Sequence, residues 1–426
     1  MVSQTRGTFP SLTGANMNSL SRRKFLSASA AVAASSFLNR TGFAAEPATD
    51  TTKLVAGNTQ FGCELYGALQ TLEGNLFLSP FSISTALGMA AAGAKGKTFD
   101  EMEKVLHLPA EAPKAFGAVL KSLNEEPDAK KRGFTLSTAN ALWAQNGYPW
   151  KPEYKTLVST DYAAGLFDVN FKTDAETART TINTWVEKET RDKIKNLLPK
   201  GTVTNDTRLV LTNAIYFKGD WEVQFKKENT KELPFTLANG NKVDMPLMHR
   251  VGQYAYAETN SYQVLDLPYV GKRVSMTVIL PKKADGLNAV EKDVAANKLS
   301  EMLKGLRLEK IVHVHLPKFK VEKSFALNEP LQSLGMKAAF NAADFSGMHN
   351  GGEDLKISAV LHKAFVDVNE EGTEAAAATG VVVGTTSVQV PPTPKYFRAD
   401  RPFLYLIRDN KTGSVLFMGR LTEAPK

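Results

Sequence analysis

One stretch constrains this 426-residue chain more than any other. From Glu370 to Pro394 there is an acidic start, a run of small residues, a β-branched run and then three prolines. It reads Glu370-Glu371-Gly372-Thr373-Glu374, then Ala375-Ala376-Ala377-Ala378-Thr379-Gly380, then Val381-Val382-Val383-Gly384. The remainder, Thr385 to Pro394, has no helical period. As bare chemistry this is an exposed loop whose first part is able to become a strand. Alternate residues of a strand share a face. One face would carry Thr373, Ala375, Ala377, Thr379, Val381 and Val383, all small or β-branched and none charged. Glu374 and Gly380 fall on the other. Such a face enters a sheet without burying a charge. On composition alone, however, a flexible Ala/Gly/Val surface loop is the better description.

The rest of the chain divides by period. Leu54, Asn58, Phe61, Leu65 and Leu69 recur at helical spacing, so residues 52–71 read as an amphipathic helix. Asn75 to Leu78 reads as a short strand. Ser79-Pro80 then opens a helix with an N-cap serine and proline in first position. That helix is apolar nearly all round, through Ile83, Leu87 and Met89, and should be buried. Another helix is expected over 175–192. The second half turns to strands: Leu209 to Phe217, Val274 to Leu280, Ile311 to Phe319, and a hairpin of Phe403–Ile407 with Val415–Met418. Helices early and antiparallel strands later predict an α+β fold.

A formal charge of +8 invites a nucleic-acid reading. Five cations, Arg6, Arg22, Arg23, Lys24 and Arg40, lie in residues 1–45, which hold no acidic residue. Without them 47 basic residues face 44 acidic ones, a balance of +3, with the signs interspersed. No phosphate-binding surface is indicated, and no nucleic-acid partner is expected. Ser21-Arg22-Arg23-Lys24-Phe25-Leu26 is a twin-arginine export motif ahead of a weakly apolar stretch, Ser27 to Leu38, too short and polar to span a bilayer. Residues 1–45 are therefore expected to be a signal peptide, cleaved after Ala44 or Ala45, with Met1 or Met17 as the start. An exported protein, periplasmic or extracellular, without stable membrane insertion follows. Cys63 is the single cysteine, so no intrachain disulfide is expected, and a buried structural thiol is its default reading.

Candidate catalytic frames fail one by one. Gly96-Lys97-Thr98 resembles the end of a phosphate-binding loop, but Ala91 stands where the first glycine belongs, and a helix precedes it where a strand should. His313 and His315 share a strand face, yet no third ligand of usable spacing accompanies them, so they read as ordinary sheet residues. There is no Gly-x-Ser-x-Gly elbow and no His-Glu-x-x-His. No positive feature speaks for an enzyme, and no cofactor or metal is expected.

Five segments, in order, resemble the serpin family over residues 53–424. They are Asn75-Leu76-Phe77-Leu78-Ser79-Pro80-Phe81-Ser82-Ile83-Ser84; Gly93-Ala94-Lys95-Gly96-Lys97-Thr98; Ile182-Asn183-Thr184-Trp185-Val186 with Lys193 to Leu198; Leu211-Thr212-Asn213-Ala214-Ile215-Tyr216-Phe217-Lys218-Gly219-Asp220-Trp221; and Asp400-Arg401-Pro402-Phe403-Leu404-Tyr405-Leu406-Ile407. The resemblance implies a single domain over 46–426 with three β-sheets, eight or nine helices and an exposed reactive-centre loop at about 370–396. It implies a metastable, monomeric suicide-substrate inhibitor that forms a covalent complex with a target serine protease and then inserts its cleaved loop as a new strand. A non-inhibitory binding protein of the same fold is the alternative; charge or bulk on the hinge's inward face would favour it, and none is present.

Residue by residue, Glu370, Glu371, Gly372, Thr373, Glu374, Ala375, Ala376, Ala377 and Ala378 match the family's hinge. Glu370 matches the acidic residue at the loop base and Lys318 its basic partner. Trp221 matches the tryptophan where the sheet opens. Ser79, Ser82, Asn213 and His362 match the polar cluster lower down, which makes His362 a hydrogen-bonding core histidine rather than a base. Counting seventeen residues from Glu370 puts the reactive bond at Thr386-Ser387; counting back from Phe397 points near Pro391 instead. Residues 383–387 hold no Arg or Lys, which favours elastase-like or subtilisin-like serine proteases, with a papain-like cysteine protease as a further target class.

Overall fold

A computed structural model describes residues 49–125, 133–351, 355–373 and 393–424. The expected leader, the hinge from Glu374 to Ala378 and the Thr386-Ser387 bond lie outside the described residues.

Nine α-helices stand among the described residues: α1 (Thr52–Leu69), α2 (Pro80–Ala92), α3 (Gly96–Leu106), α4 (Ala112–Leu123), α5 (Pro152–Asp161), α6 (Phe171–Glu189), α7 (Leu287–Ala295), α8 (Leu299–Leu303) and α9 (Asn328–Ser333). The start of α2 follows the sequence reading: Ser79 caps it, accepting from the Ser82 amide, and Pro80 holds the first turn. Every residue from Pro80 to Ala91 is buried, as its all-round apolar surface requires. Gly96-Lys97-Thr98 opens α3. Its Thr98 is buried, and the hydroxyl accepts from the Asp344 amide, a structural duty. Cys63 is fully buried in α1, and burial pushes its thiol up to about 12, so it stays protonated and inert.

Fifteen strands form two hydrogen-bonded sheets among the described residues. The larger holds β1 (Leu76–Leu78), β5 (Lys231–Thr236), β6 (Lys242–Glu258), β7 (Tyr262–Pro268), β8 (Val274–Pro281), β9 (Arg307–Pro317), β13 (Lys395–Arg398), β14 (Phe403–Asp409) and β15 (Val415–Leu421). Its order is β1-β15-β14-β8-β7-β6-β9-β13, with β5 on β6. The three expected sheets become two connected ones because β6, 17 residues long, serves two lobes. Its start, Lys242 to Leu247, pairs with β5, its end, Ala255 to Glu258, with β7, and Leu247 to Tyr256 with β9.

The smaller sheet runs β10 (Phe319–Ala326), β11 (Ile357–Val368), β12 (Gly372–Thr373), β4 (Leu209–Asp220), β2 (Phe134–Gln145) and β3 (Gly165–Val169). Ile311 to Phe319, expected as one strand, is divided. Lys318 separates β9 in the larger sheet from β10 in the smaller, and its amide bonds to Pro246 of β6. The break occurs where the chain changes sheets.

The period of two in β4 sets the layers. Leu209, Leu211, Ile215 and Phe217 join the main core, while Val210, Ala214 and Tyr216 join a second cluster with Ile182 and Val186 of α6. Ala359, Leu361 and Phe365 of β11 belong to that second cluster too. Helix α6 packs against β2, and its Ile182 and Val186 share the apolar cluster to which β4 and β11 contribute.

Candidate functional site

The site is the seam between β11 and β4. These neighbours run parallel, in pairs from Ile357↔Leu209 to Phe365↔Tyr216. Beyond Phe365 they no longer pair. The two-residue strand β12 lies between them instead, antiparallel to both: Thr373 opposite Val368 of β11, Gly372 and Thr373 opposite Asp220 and Gly219 of β4. The start of the 370–394 segment thus already occupies the top of the smaller sheet as a strand.

Local chemistry fixes that start. The Asn369 side-chain oxygen accepts from the amides of Glu371, at 3.0 Å, and Gly372, at 3.3 Å, folding the chain back after β11. Gly372 then sits at φ +152°, and a Cβ there would lie 2.2 Å from the Gly219 carbonyl oxygen. Only glycine brings the backbone this close to β4. The Glu370 carboxylate is buried. It pairs with Lys318 at 2.9 Å and accepts from the Thr230 hydroxyl at 2.8 Å. Burial alone would raise its pKa; these partners outweigh burial and hold it below the usual carboxylate range. Glu371 pairs with Lys227 at 3.0 Å.

Trp221 closes the top. Its indole stacks on Tyr269, with centroids 4.6 Å apart, and its Nε1 donates to the Asn369 carbonyl at 2.9 Å. The Trp221 and Phe225 amides donate to the carbonyls of Glu371 and Glu370. Lys318, Trp221, Glu370, Glu371 and Gly372 are therefore brought together at one place, and so is Thr373 through its backbone.

Lower in the seam, Asn213 of β4 faces His362 of β11 in register. Both are fully buried. The Ser79 amide donates to His362 Nε2 at 3.0 Å, which leaves the ring proton on Nδ1 to donate to Asn213 Oδ1. Asn213 Nδ2 donates to Ser82 Oγ and to Asn140 Oδ1, both at 2.6 Å. Ser79 Oγ donates to the Leu416 carbonyl of β15 at 2.6 Å. This cluster ties β4 and β11 to α2 and β15. It leaves His362 no role as an exposed base: burial takes its pKa down to about 3.

Sequence reasoning missed Asn140, Asn369 and Thr230. Asn140 was readable as a polar residue inside the apolar run Ala139 to Trp143 of β2, and Asn369 as a turn former ahead of Gly372. Nothing in the sequence marks Thr230. It also missed His249, which stacks on His315 at 4.3 Å and on His313 at 5.9 Å across the β6–β9 pairing. Among the described residues no group of side chains is arranged to hold a metal.

Comparison with known proteins accords with this geometry. The family profile described as serpin (serine protease inhibitor) matches residues 56–424. The human leukocyte elastase inhibitor is 40% identical, covering 87% of this chain and 99% of its own. Two solved structures are similar. Serpin48 of the insect Tenebrio molitor is 33% identical, with a TM-score of 0.77, over 88% of this chain and 98% of its own. Human thyroxine-binding globulin is 28% identical, with a TM-score of 0.77, over 88% of this chain and 100% of its own.

The depressed His362 pKa gives the seam an acid limit. An unfolded histidine takes up its proton near 6.5, whereas folded His362 does so only near 3. Stability is therefore full above about pH 6.5 and falls as pH drops toward 3, by at most about 1.4 kcal/mol per unit from this group. His315, held at about 4 chiefly by burial, adds in the same direction. A His362→Gln protein should melt lower than wild type at pH 7.5 but lose less melting temperature between pH 7.5 and 5. Equal losses would exclude His362 as a titrating group.

Proposed function

The chain belongs to the serpin (serine protease inhibitor) family, and from that premise we propose that it is a suicide-substrate inhibitor which traps serine endopeptidases by inserting its cleaved loop into the β11–β4 seam. The observation that carries this reading is the placement of β12, antiparallel between two strands that are otherwise parallel neighbours. Continuing that strand downward replaces one parallel interface with two antiparallel ones, and antiparallel pairing is slightly the more stable per residue. The lengths agree. β4 and β11 have 12 residues each, about 40 Å of strand, and residues 373–386 would extend about 46 Å at roughly 3.3 Å per residue.

The chemistry before insertion is the protease's own. Its serine oxygen attacks the Thr386 carbonyl, the Thr386–Ser387 amide breaks, and the Ser387 nitrogen leaves as a protonated amine. The chain up to Thr386 is then an ester of the protease. Water would hydrolyse that ester in a substrate; here insertion of 374–386 carries the attached protease away from the loop's original position and distorts it first. Absence of Arg and Lys from 383–387 favours elastase-like or subtilisin-like targets, and the likeness to a leukocyte elastase inhibitor supports the same class. Cysteine endopeptidases are a secondary target class. The inhibitor acts as a monomer and is exported through its twin-arginine leader to the periplasm or beyond.

Replacing Arg22 and Arg23 by lysine should leave precursor in the cytoplasm on fractionation. An unchanged exported fraction would refute the leader.

Thr373 tests the mechanism. In the strand alternation it leads the uncharged face; its backbone already lies in β12 at the mouth of the seam, and completing the strand below would enclose an arginine there with no partner. Burying an unpaired charge costs roughly several kcal/mol even after relaxation. Insertion competes with deacylation, so slowing it by that amount changes the outcome by orders of magnitude. Thr373→Arg should be cut but should release active protease, whereas Thr373→Ala should still form a complex stable on denaturing electrophoresis. Trapping by Thr373→Arg at wild-type stoichiometry would overturn insertion as the mechanism.

A further inference from the structure

A cleft of about 870 Å³ lies beside Trp221, walled by Val223, Phe225, Val251, Leu267 and Leu308. That volume is within the range of small-molecule sites. Three of its walls are unusually open for apolar side chains: Val223 is 48% exposed, Val251 45% and Leu308 72%. Three polar side chains of β6 line the same space, Arg250, Gln253 and Tyr254. Tyr254 is 4% exposed, and its hydroxyl meets no polar group except the Arg250 guanidinium, with which it makes no well-aligned hydrogen bond. The Arg250 guanidinium sits over the Tyr254 ring at 5.5 Å and donates to the Val223 carbonyl. Among the described residues no carboxylate pairs with it. The cleft's acidic side chains are engaged elsewhere, Asp266 with Arg408 and Glu222 with Lys272. A half-buried cation and a buried hydroxyl therefore share an apolar cleft, each with bonding capacity unused.

The backbone makes room for them. The pairing of β6 with β9 shifts register between Gly252 and Tyr254, an irregularity of the kind that re-aims side chains beside sites. A Cβ on Gly252 would stand 3.2 Å from the Arg250 guanidinium and 3.1 Å from the Tyr254 ring.

We propose that this cleft binds a small amphipathic monocarboxylate, its carboxylate on Arg250 and the Tyr254 hydroxyl and its apolar body between Val223, Val251 and Leu308. One carboxylate satisfies both unused groups, and charge-assisted hydrogen bonds to arginine are the strong kind. The site requires no protease and no loop insertion, so its test stands apart from that of inhibition.

The test is titration calorimetry on the intact protein with decanoate and 1-naphthoate, and with decanol as the neutral control. Decanoate or naphthoate should bind at least tenfold tighter than decanol. A preference for one carboxylate identifies the body as a flexible chain or an aromatic ring. Arg250→Gln should abolish the preference over decanol. Leu308→Glu, at an exposed position, should weaken carboxylate binding at least fivefold with an unchanged melting temperature. Absence of binding, equal affinity for decanol, or full affinity in both variants would overturn the proposal.

Discussion

The parallel pairing of β11 with β4 is the contact on which the rest of the molecule depends. Each strand has 12 residues, and each has its other edge covered, β11 by β10 and β4 by β2. Parallel partners need a long crossover, and here the chain between them builds most of the larger sheet. The outer side of the seam shares an apolar cluster with α6 and the segment after it, whose Lys195 carbonyl accepts from Lys363 of β11, and α2 meets the inner side through Ser79 and Ser82. The seam is thus enclosed front and back while its top is held apart by β12.

What holds the middle of the seam differs from what surrounds it. The flanks are packed apolar side chains, whose loss of contact is gradual and costly over large areas. The centre is a buried hydrogen-bonded group of His362, Asn213, Ser79, Ser82 and Asn140. Buried polar networks are directional, so they fix register when complete and leave costly unsatisfied groups when parted. On the proposed insertion mechanism, such a network suits a seam that stays closed until a strand arrives. The top is built on the same principle: buried Glu370 is held by Lys318 and Thr230, so the loop base is anchored by specific bonds rather than by bulk burial.

Much of this was legible in the sequence because the periods are clean. The buried helix α2 announced itself through Ser79-Pro80 and an unbroken apolar circumference, and the C-terminal hairpin through Asp409 to Gly413. The composition of 370–394 alone argued for a plain surface loop; the five-segment resemblance and then the pairing of Gly372 and Thr373 gave its first residues a strand. What the sequence hid were contacts made across long separations. Asn140 reaches Asn213, and Thr230 reaches Glu370, only after β2 and β5 are placed. The change of sheet at Lys318 left one trace: the apolar phase of Val312, Val314 and Leu316 meets a lysine at 318 and resumes one residue late at Phe319. The cleft beside Trp221 depends on a register shift in β6 that no local pattern specifies.

If the seam is a site held ready for a strand, cutting the loop should make the protein more stable, not less. Nicking an ordinary surface loop raises chain entropy in the unfolded state and leaves the folded contacts as they were. Insertion adds two antiparallel ladders and fills the seam. The direct measurement is the melting temperature of the intact protein against the same protein cleaved near Thr386 by a non-target protease. Loop insertion predicts a clear rise. An equal or lower melting temperature after cleavage would contradict it.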